Sequence, residues 1–209
     1  MIRISNAAAK AMEFTSFKKQ NGVSDDDLMA SVIKFEEVLA KQPGVIFHCL
    51  VRNLENSYAN VLFVENTEHL HQLSKEVAAL PEAQYFFSLI NMETVRMEFH
   101  EILKEGFHIP QGFACVECGT FTLKPEATLE AFISASNNIE SHYLNKFENS
   151  LEHFVGRVEG KKVSEIAIGK TYAKTKQVCY GYFDDKYGQE LLNLALMDTV
   201  NLDFWYLVA

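Results

Sequence analysis

The sequence predicts an α+β protein in which one β-α-β-β-α-β order is written twice. Three observations carry this. The stretch METVRMEFHEIL at residues 92–103 is echoed by MDTVNLDFWYLV at 197–208. The offset, 199 − 94 = 105 residues in a chain of 209, is a domain's length and not a solenoid period of roughly 20–50 residues. The segments leading up to each echo also follow one another in the same order of apolar periodicities.

In the first half, residues 12–18 read as a strand. Ser24 stands ahead of Asp25, Asp26 and Asp27 as an N-cap, with acidic groups at the positive end of the helix dipole. Leu28, Val32, Phe35 and Leu39 then form one buried helical stripe. Pro43-Gly44 breaks that helix. Strands follow at 45–51 and 58–64 around a polar turn at 53–57, then a helix at 67–80 and a short helical piece at 81–90. The second half offers a strand at 113–123. Pro125 is expected as the first helical residue before Leu129, Phe132, Ile139 and Tyr143. Strands at 151–158 and 163–168 flank a turn at 159–161, followed by a helix at 171–184 and a helical piece at 187–196. The glycines and proline of KEGFHIPQG mark the boundary. The expected domains are 1–104 and 113–209, with 105–112 as linker.

Such a unit forms a four-stranded antiparallel sheet with both helices on one face, because right-handed crossovers put them there. The other face is left bare and needs a partner. On the closing strand Val95, Met97, Phe99 and Leu103 make the apolar side, expected under the helices, and Thr94, Arg96, Glu98 and His100 the mixed side. Two such units in one chain are expected to cover each other, sheet to sheet.

Composition narrows the partners. A net charge of −9 without a basic block argues against a phosphate backbone as ligand, so no nucleic acid is expected. No apolar run approaches the roughly 20 residues of a membrane span, so no membrane is expected. The four cysteines are too few for a disulfide scaffold. With no apolar leader at the N-terminus, the expected setting is cytoplasmic.

The β-α-β-β-α-β order, the phrase Phe86-Phe87-Ser88-Leu89-Ile90 before the closing strand, and METVRMEF with its echo resemble a known group. The chain is similar to a tandem fusion of dimeric α/β-barrel, ferredoxin-like domains, the family that includes antibiotic-biosynthesis monooxygenases and haem-degrading monooxygenases. The resemblance implies a pseudo-dimeric barrel, functioning as a monomer or as a homodimer. It also implies a pocket between sheet and helices for an aromatic ligand or haem. The haem-degrading members use an Asn, a Trp and a His there. The single tryptophan here, Trp205, lies on the closing strand without such companions, so no catalytic residue is carried over.

The residues themselves offer several candidates. Arg96, Glu98 and His100 stand at i, i+2 and i+4 on one strand face, a row able to orient a substrate or move a proton, or to form a polar layer between sheets. His142 adjoins Tyr143 on a helix stripe and could lean toward a pocket. His48 and His153 lie on corresponding strands and read as hydrogen-bonded core histidines. His69 and His71, two apart on a helix, diverge too far to share a metal. Cys115 and Cys118 form a lone CxxC whose positions point to opposite faces of a strand, so no metal site is expected. Tyr85, Phe86, Phe87 and Phe99 could line an apolar cavity. Glycine-rich phosphate loops, GxSxG and HExxH are missing from the sequence. Three functions compete: a monooxygenase-like site for a small aromatic or apolar molecule, a non-catalytic binding or sensing module, and a structural protein without ligand.

Overall fold

The computed structural model describes residues 1–209, apart from the side chain of Ser74. The chain divides into two compact units. The first comprises Met1–Glu101, Gly106–Ile109 and Leu207–Ala209, and the second Ile102–Glu105 and Pro110–Tyr206.

The first unit contains β1 (Ile2–Arg3), β2 (Ala11–Lys19), α1 (Asp25–Leu39), β3 (Val45–Arg52), β4 (Tyr58–Val64), α2 (Thr67–Glu76), α3 (Pro81–Ser88) and β5 (Ile90–Ile102). Its strands lie in the order β1-β3-β4-β2-β5, neighbours antiparallel. The second contains β6 (Cys115–Thr122), α4 (Leu129–His142), β7 (Ser150–Glu159), β8 (Lys162–Gly169), α5 (Tyr172–Tyr180), α6 (Lys186–Leu192) and β9 (Asn201–Leu207). Its order is β7-β8-β6-β9, again antiparallel. Leaving aside the short β1, which the sequence reading missed, the two units have one topology.

Local chemistry explains the helices. Ser24 Oγ accepts from the Asp27 N–H at 3.0 Å, which caps α1. Pro125 proves not to be helical. It sits second in a turn closed by the Ala127 N–H to the Lys124 carbonyl at 3.0 Å, a position that suits its fixed φ. Thr128 then caps α4, its Oγ1 accepting from the Ala131 N–H at 3.1 Å. The helix expected over 67–80 ends at Glu76, because Pro81 opens a separate helix behind the extended Leu80.

The echoed phrase has a structural task. Thr94 Oγ1 donates to the Asn91 carbonyl at 2.7 Å and accepts from the Lys18 N–H at 2.9 Å. Thr199 Oγ1 donates to the Leu196 carbonyl at 2.7 Å and accepts from the Thr122 N–H at 2.9 Å. In each unit a threonine thus ties the start of the closing strand to the end of the unit's first long strand. The surroundings differ: Met92–Thr94 lie within β5, whereas Met197–Thr199 form a single 3-10 turn before β9.

The first unit's core packs α1 and α3 onto the sheet, with Phe35 stacked on Phe86 at 5.1 Å between centroids. In the second, Phe132 meets Phe121 edge-on at 5.6 Å. Among the described residues, no helix is long and apolar enough to cross a membrane.

Candidate functional site

In the first unit a cavity of about 220 Å³ lies between the helices and the sheet. Phe35 and Leu39 of α1, Leu73 of α2, Val77 just beyond it, Phe87 of α3, and Val95 and Met97 of β5 supply apolar walls. Polar side chains are confined to the sheet: Glu13, Thr15, His48 and Asn60.

Strand register explains this gathering. Glu13 pairs with Leu62, which pairs with His48; one step along, Thr15 pairs with Asn60. Residues paired across strands share a face, so all four side chains turn toward the helices. Thr15 Oγ1 donates to Glu13 Oε1 at 2.7 Å. His48 Nδ1 lies 2.9 Å from Glu36 Oε1 of α1, and its Nε2 lies 3.3 Å from Asn60 Oδ1. Burial pushes the Glu13 carboxyl above its ordinary pKa; the Thr15 hydroxyl and the nearby His48 oppose the rise without cancelling it. A half-buried carboxyl with a raised pKa, facing an apolar cavity, is equipped to exchange a proton.

The second unit carries the same row. Glu117 pairs with Ala167, which pairs with His153, and Glu165 pairs with Gly119. The offsets agree with the echo: 117 − 13 = 104, 140 − 36 = 104, 153 − 48 = 105 and 165 − 60 = 105. Glu117 therefore stands where Glu13 does, Glu140 where Glu36 does, His153 where His48 does, and Glu165 in place of Asn60. His153 Nε2 lies 3.0 Å from Glu165 Oε1, and its Nδ1 3.6 Å from Glu140 Oε2. Lys104 Nζ contacts both Glu140 and Glu152 at 2.8 Å. Burial alone would lower the His153 pKa, but Glu140 and Glu165 outweigh it and hold the imidazole raised to about 9. Burial would raise Glu140, but His153 and Lys104 hold it at about 2. Burial, then the charge of Glu165, pushes Glu117 well above its ordinary value.

Among the described residues, two tyrosines fill the space above this second row. Tyr143 and Tyr182 occupy the positions of Leu39 and Val77 (143 − 39 = 104, 182 − 77 = 105). Their rings meet edge-on at 5.6 Å. Tyr182 donates to Glu165 Oε1 at 2.7 Å, and Tyr143 to the Val178 carbonyl at 2.8 Å. Gly181 makes room for the second bond, since a Cβ there would stand 2.0 Å from the Tyr143 hydroxyl oxygen. The void left beside Tyr182 measures about 10 Å³, room for one water at most.

The sequence candidates fall elsewhere. Val95 and Met97 line the cavity, so Arg96, Glu98 and His100, which alternate with them along β5, lie on the opposite face. Arg96 is exposed, its Nη1 donating to the Val95 carbonyl at 2.7 Å, whereas His100 is fully buried. His142 is exposed at the end of α4 and stacks on Tyr187 at 4.5 Å. The structure does not bring these four together, and none lines the cavity. Of the aromatics, Phe87 lines it, Phe86 packs in the core, Tyr85 is exposed and Phe99 packs edge-on against His71. Cys115 and Cys118 are buried thiols; burial pushes the Cys115 thiol up to about 12. Glu13, Thr15, Glu36 and Asn60 were missed. Extending the 104–105 residue offset from the echo back along the chain would have found Glu13 and Glu36 beside their glutamate counterparts.

Haem does not fit this cavity. Both ring nitrogens of His48 already face Glu36 and Asn60, and no lining residue is a cation able to meet its propionates. The volume also falls below the roughly 300–1,000 Å³ of sites for drug-sized ligands.

No family profile matches the sequence, and no curated protein matches it. Solved structures do. An anthrone oxidase-like protein is similar over 100% of this chain and 94% of its own, at 12% identity and a TM-score of 0.64. A mutant chlorite dismutase from Candidatus Nitrospira defluvii matches over 97% and 92%, at 6% identity and a TM-score of 0.65. An uncharacterised ferredoxin-fold protein related to antibiotic biosynthesis monooxygenases, from Listeria monocytogenes, matches over 96% of each chain, at 10% identity and a TM-score of 0.56. At these identities the likeness shows the fold: α+β, of the ferredoxin-like α/β-barrel class to which monooxygenase-like proteins belong.

Proposed function

We propose that the first unit binds a small, largely apolar aromatic molecule in its cavity and that Glu13 exchanges a proton with it. The observation that carries this reading is the 220 Å³ chamber, apolar on its walls, with one half-buried carboxyl of raised pKa at its polar side. Apolar walls with a few convergent polar groups are the usual make-up of a small-molecule site. The anthrone oxidase-like and monooxygenase-related neighbours supply the reaction class by analogy of fold. In that reaction the Glu13 carboxylate takes a proton from an activated C–H or O–H of the ligand, the electron pair of the resulting anion forms a C–O bond to dioxygen, and the proton held by Glu13 passes to the peroxide, which leaves a hydroperoxide and the free carboxylate.

The raised pKa of Glu13 gives the pH dependence its sign. The base form is scarce in acid, so turnover should climb as pH rises through the Glu13 pKa. A non-catalytic binding module is the second reading. The Thr15 hydroxyl at 2.7 Å favours it, because that bond occupies one carboxyl oxygen of Glu13.

The test is titration of the full chain with small aromatic molecules, with and without a hydroxyl group, followed by the methyl NMR signals of Leu39, Leu73 and Val77. Saturable shifts at these residues are expected, and their absence ends both readings. Oxygen uptake with a turned-over ligand, reduced about 10²-fold or more by Glu13→Gln while binding persists, selects the catalytic reading. Uptake equal in Glu13→Gln and wild type removes Glu13 as the base.

A further inference from the structure

In the second unit the space over the polar row is filled from within. The phenol ring of Tyr182 is 3% exposed, and its O–H donates to Glu165 Oε1 at 2.7 Å. That acceptor oxygen also lies 3.0 Å from His153 Nε2. In the first unit the register counterpart of the acceptor is Asn60 Oδ1, which lies 3.3 Å from His48 Nε2. The residue at the position of Tyr182 is Val77, and the cavity opens beside it. The first unit therefore retains the acceptor and the imidazole beside it, and lacks the aromatic ring and hydroxyl that the second unit supplies as a side chain.

From this correspondence we propose that the first unit's cavity takes a phenol, whose ring lies where that of Tyr182 lies in the second unit and whose O–H donates to Asn60 Oδ1. The proposal rests on the reading that this cavity binds a small apolar molecule, and it narrows the class of that molecule. The lining argues in the same direction. A carboxylate ligand would meet Glu13 with no lining cation to offset it. A pure hydrocarbon would leave the Asn60 oxygen with the His48 contact alone, and an under-satisfied buried polar group is costly. A phenol places its apolar ring against Phe35, Leu73 and Val77 and its one donor on the one side-chain amide oxygen of the lining.

The probe is p-cresol, which is the tyrosine side chain as a free molecule, compared with toluene, which lacks only the hydroxyl. Calorimetric titration of the full wild-type chain should show p-cresol binding at least tenfold more tightly than toluene. Asn60→Leu should bring the two probes to equal affinity. Val77→Tyr should abolish p-cresol binding in a chain that still unfolds cooperatively. Toluene binding wild type as tightly as p-cresol overturns the phenol assignment and leaves the apolar site standing. Neither probe binding overturns both. Unchanged p-cresol affinity in Val77→Tyr moves the ligand out of this cavity and sinks the correspondence with Tyr182. The wild-type comparison decides the matter even if either variant fails to fold.

Discussion

The two units place the same polar row on the same strands and finish it in opposite ways. In the first, Glu13, His48 and Asn60 face a chamber of about 220 Å³. In the second, Glu117, His153 and Glu165 lie under Tyr143 and Tyr182, with about 10 Å³ left beside Tyr182. Strand order and register are shared, so the sheet alone does not decide the outcome. Side-chain volume above it differs at two positions: Leu39 and Val77 line the space, and their tyrosine counterparts fill it. The electrostatics follow suit. The second unit seals in two glutamates, Glu117 and Glu165, and holds a raised imidazole between Glu165 and the partly exposed Glu140, with Lys104 at the margin. The first leaves one carboxyl, Glu13, to meet the cavity with a threonine hydroxyl as its bonded neighbour.

The contrast can be broken from either side. The largest effect is expected from His153→Leu, which leaves Glu140 and Glu165 without their buried partner. A loss of about 3–5 kcal/mol in urea unfolding is the expectation. His48→Leu should cost less, because His48 contacts one carboxylate, Glu36, where His153 contacts two, and Glu36 keeps the N-terminal ammonium 3.3 Å away. Equal losses would show that the second unit's cluster is no more tightly interdependent than the first's. Tyr182→Val should then cost roughly 2–5 kcal/mol by opening a cavity and freeing a buried acceptor. The reverse change, Val77→Tyr, enters existing space and should cost distinctly less. A large loss in Val77→Tyr would show that the cavity walls cannot admit the ring.

The pH response sharpens the comparison. The His153 contribution is complete below its ordinary pKa of 6.5 and fades as pH rises through about 9. The Glu140 contribution is present above its ordinary 4.5 and fades as pH falls toward about 2. Hydrogen exchange of β7 and β8 amides should therefore be slowest near pH 4.5–6.5, after correction for the intrinsic rate. In the first unit Glu13, being raised, contributes at low pH and loses its contribution as pH rises through its folded value. Asp25, held at about 2, is too exposed to weigh heavily. The β3 and β4 amides should thus keep their protection at mild acid, where those of β7 and β8 begin to lose it. The smallest effect tests where the units agree: Ser24→Ala and Thr128→Ala should each cost about 1 kcal/mol, through the same lost cap.

The fold was legible because its signals are local. The capping serine, the Pro-Gly break and the alternating closing strand each speak within a few residues, and the echo located both closing strands. Pro125 misled because proline suits a turn's second position as well as a helix's first, and only the cap at Thr128 separates the two. The site was less legible. His48 and His153 could be matched by strand, but each was weighed alone as a core histidine. Glu13 and Thr15 drew no notice, since a polar residue inside an apolar strand does not say which way its face turns. Arg96, Glu98 and His100 did form a row, but its direction depended on which face of β5 the helices cover. The cavity itself is a sum of volumes over residues from seven segments, and no short stretch of sequence holds that sum.

One further consequence follows from Val77 and Tyr182 differing at matched positions of one covalent chain. In an assembly of identical subunits, every substitution is made in all copies at once, so a chamber and a solid core cannot be chosen separately. A single chain with two like units escapes that symmetry. One half can change its interior to suit a guest while the other stays frozen, and each substitution is inherited by one half alone.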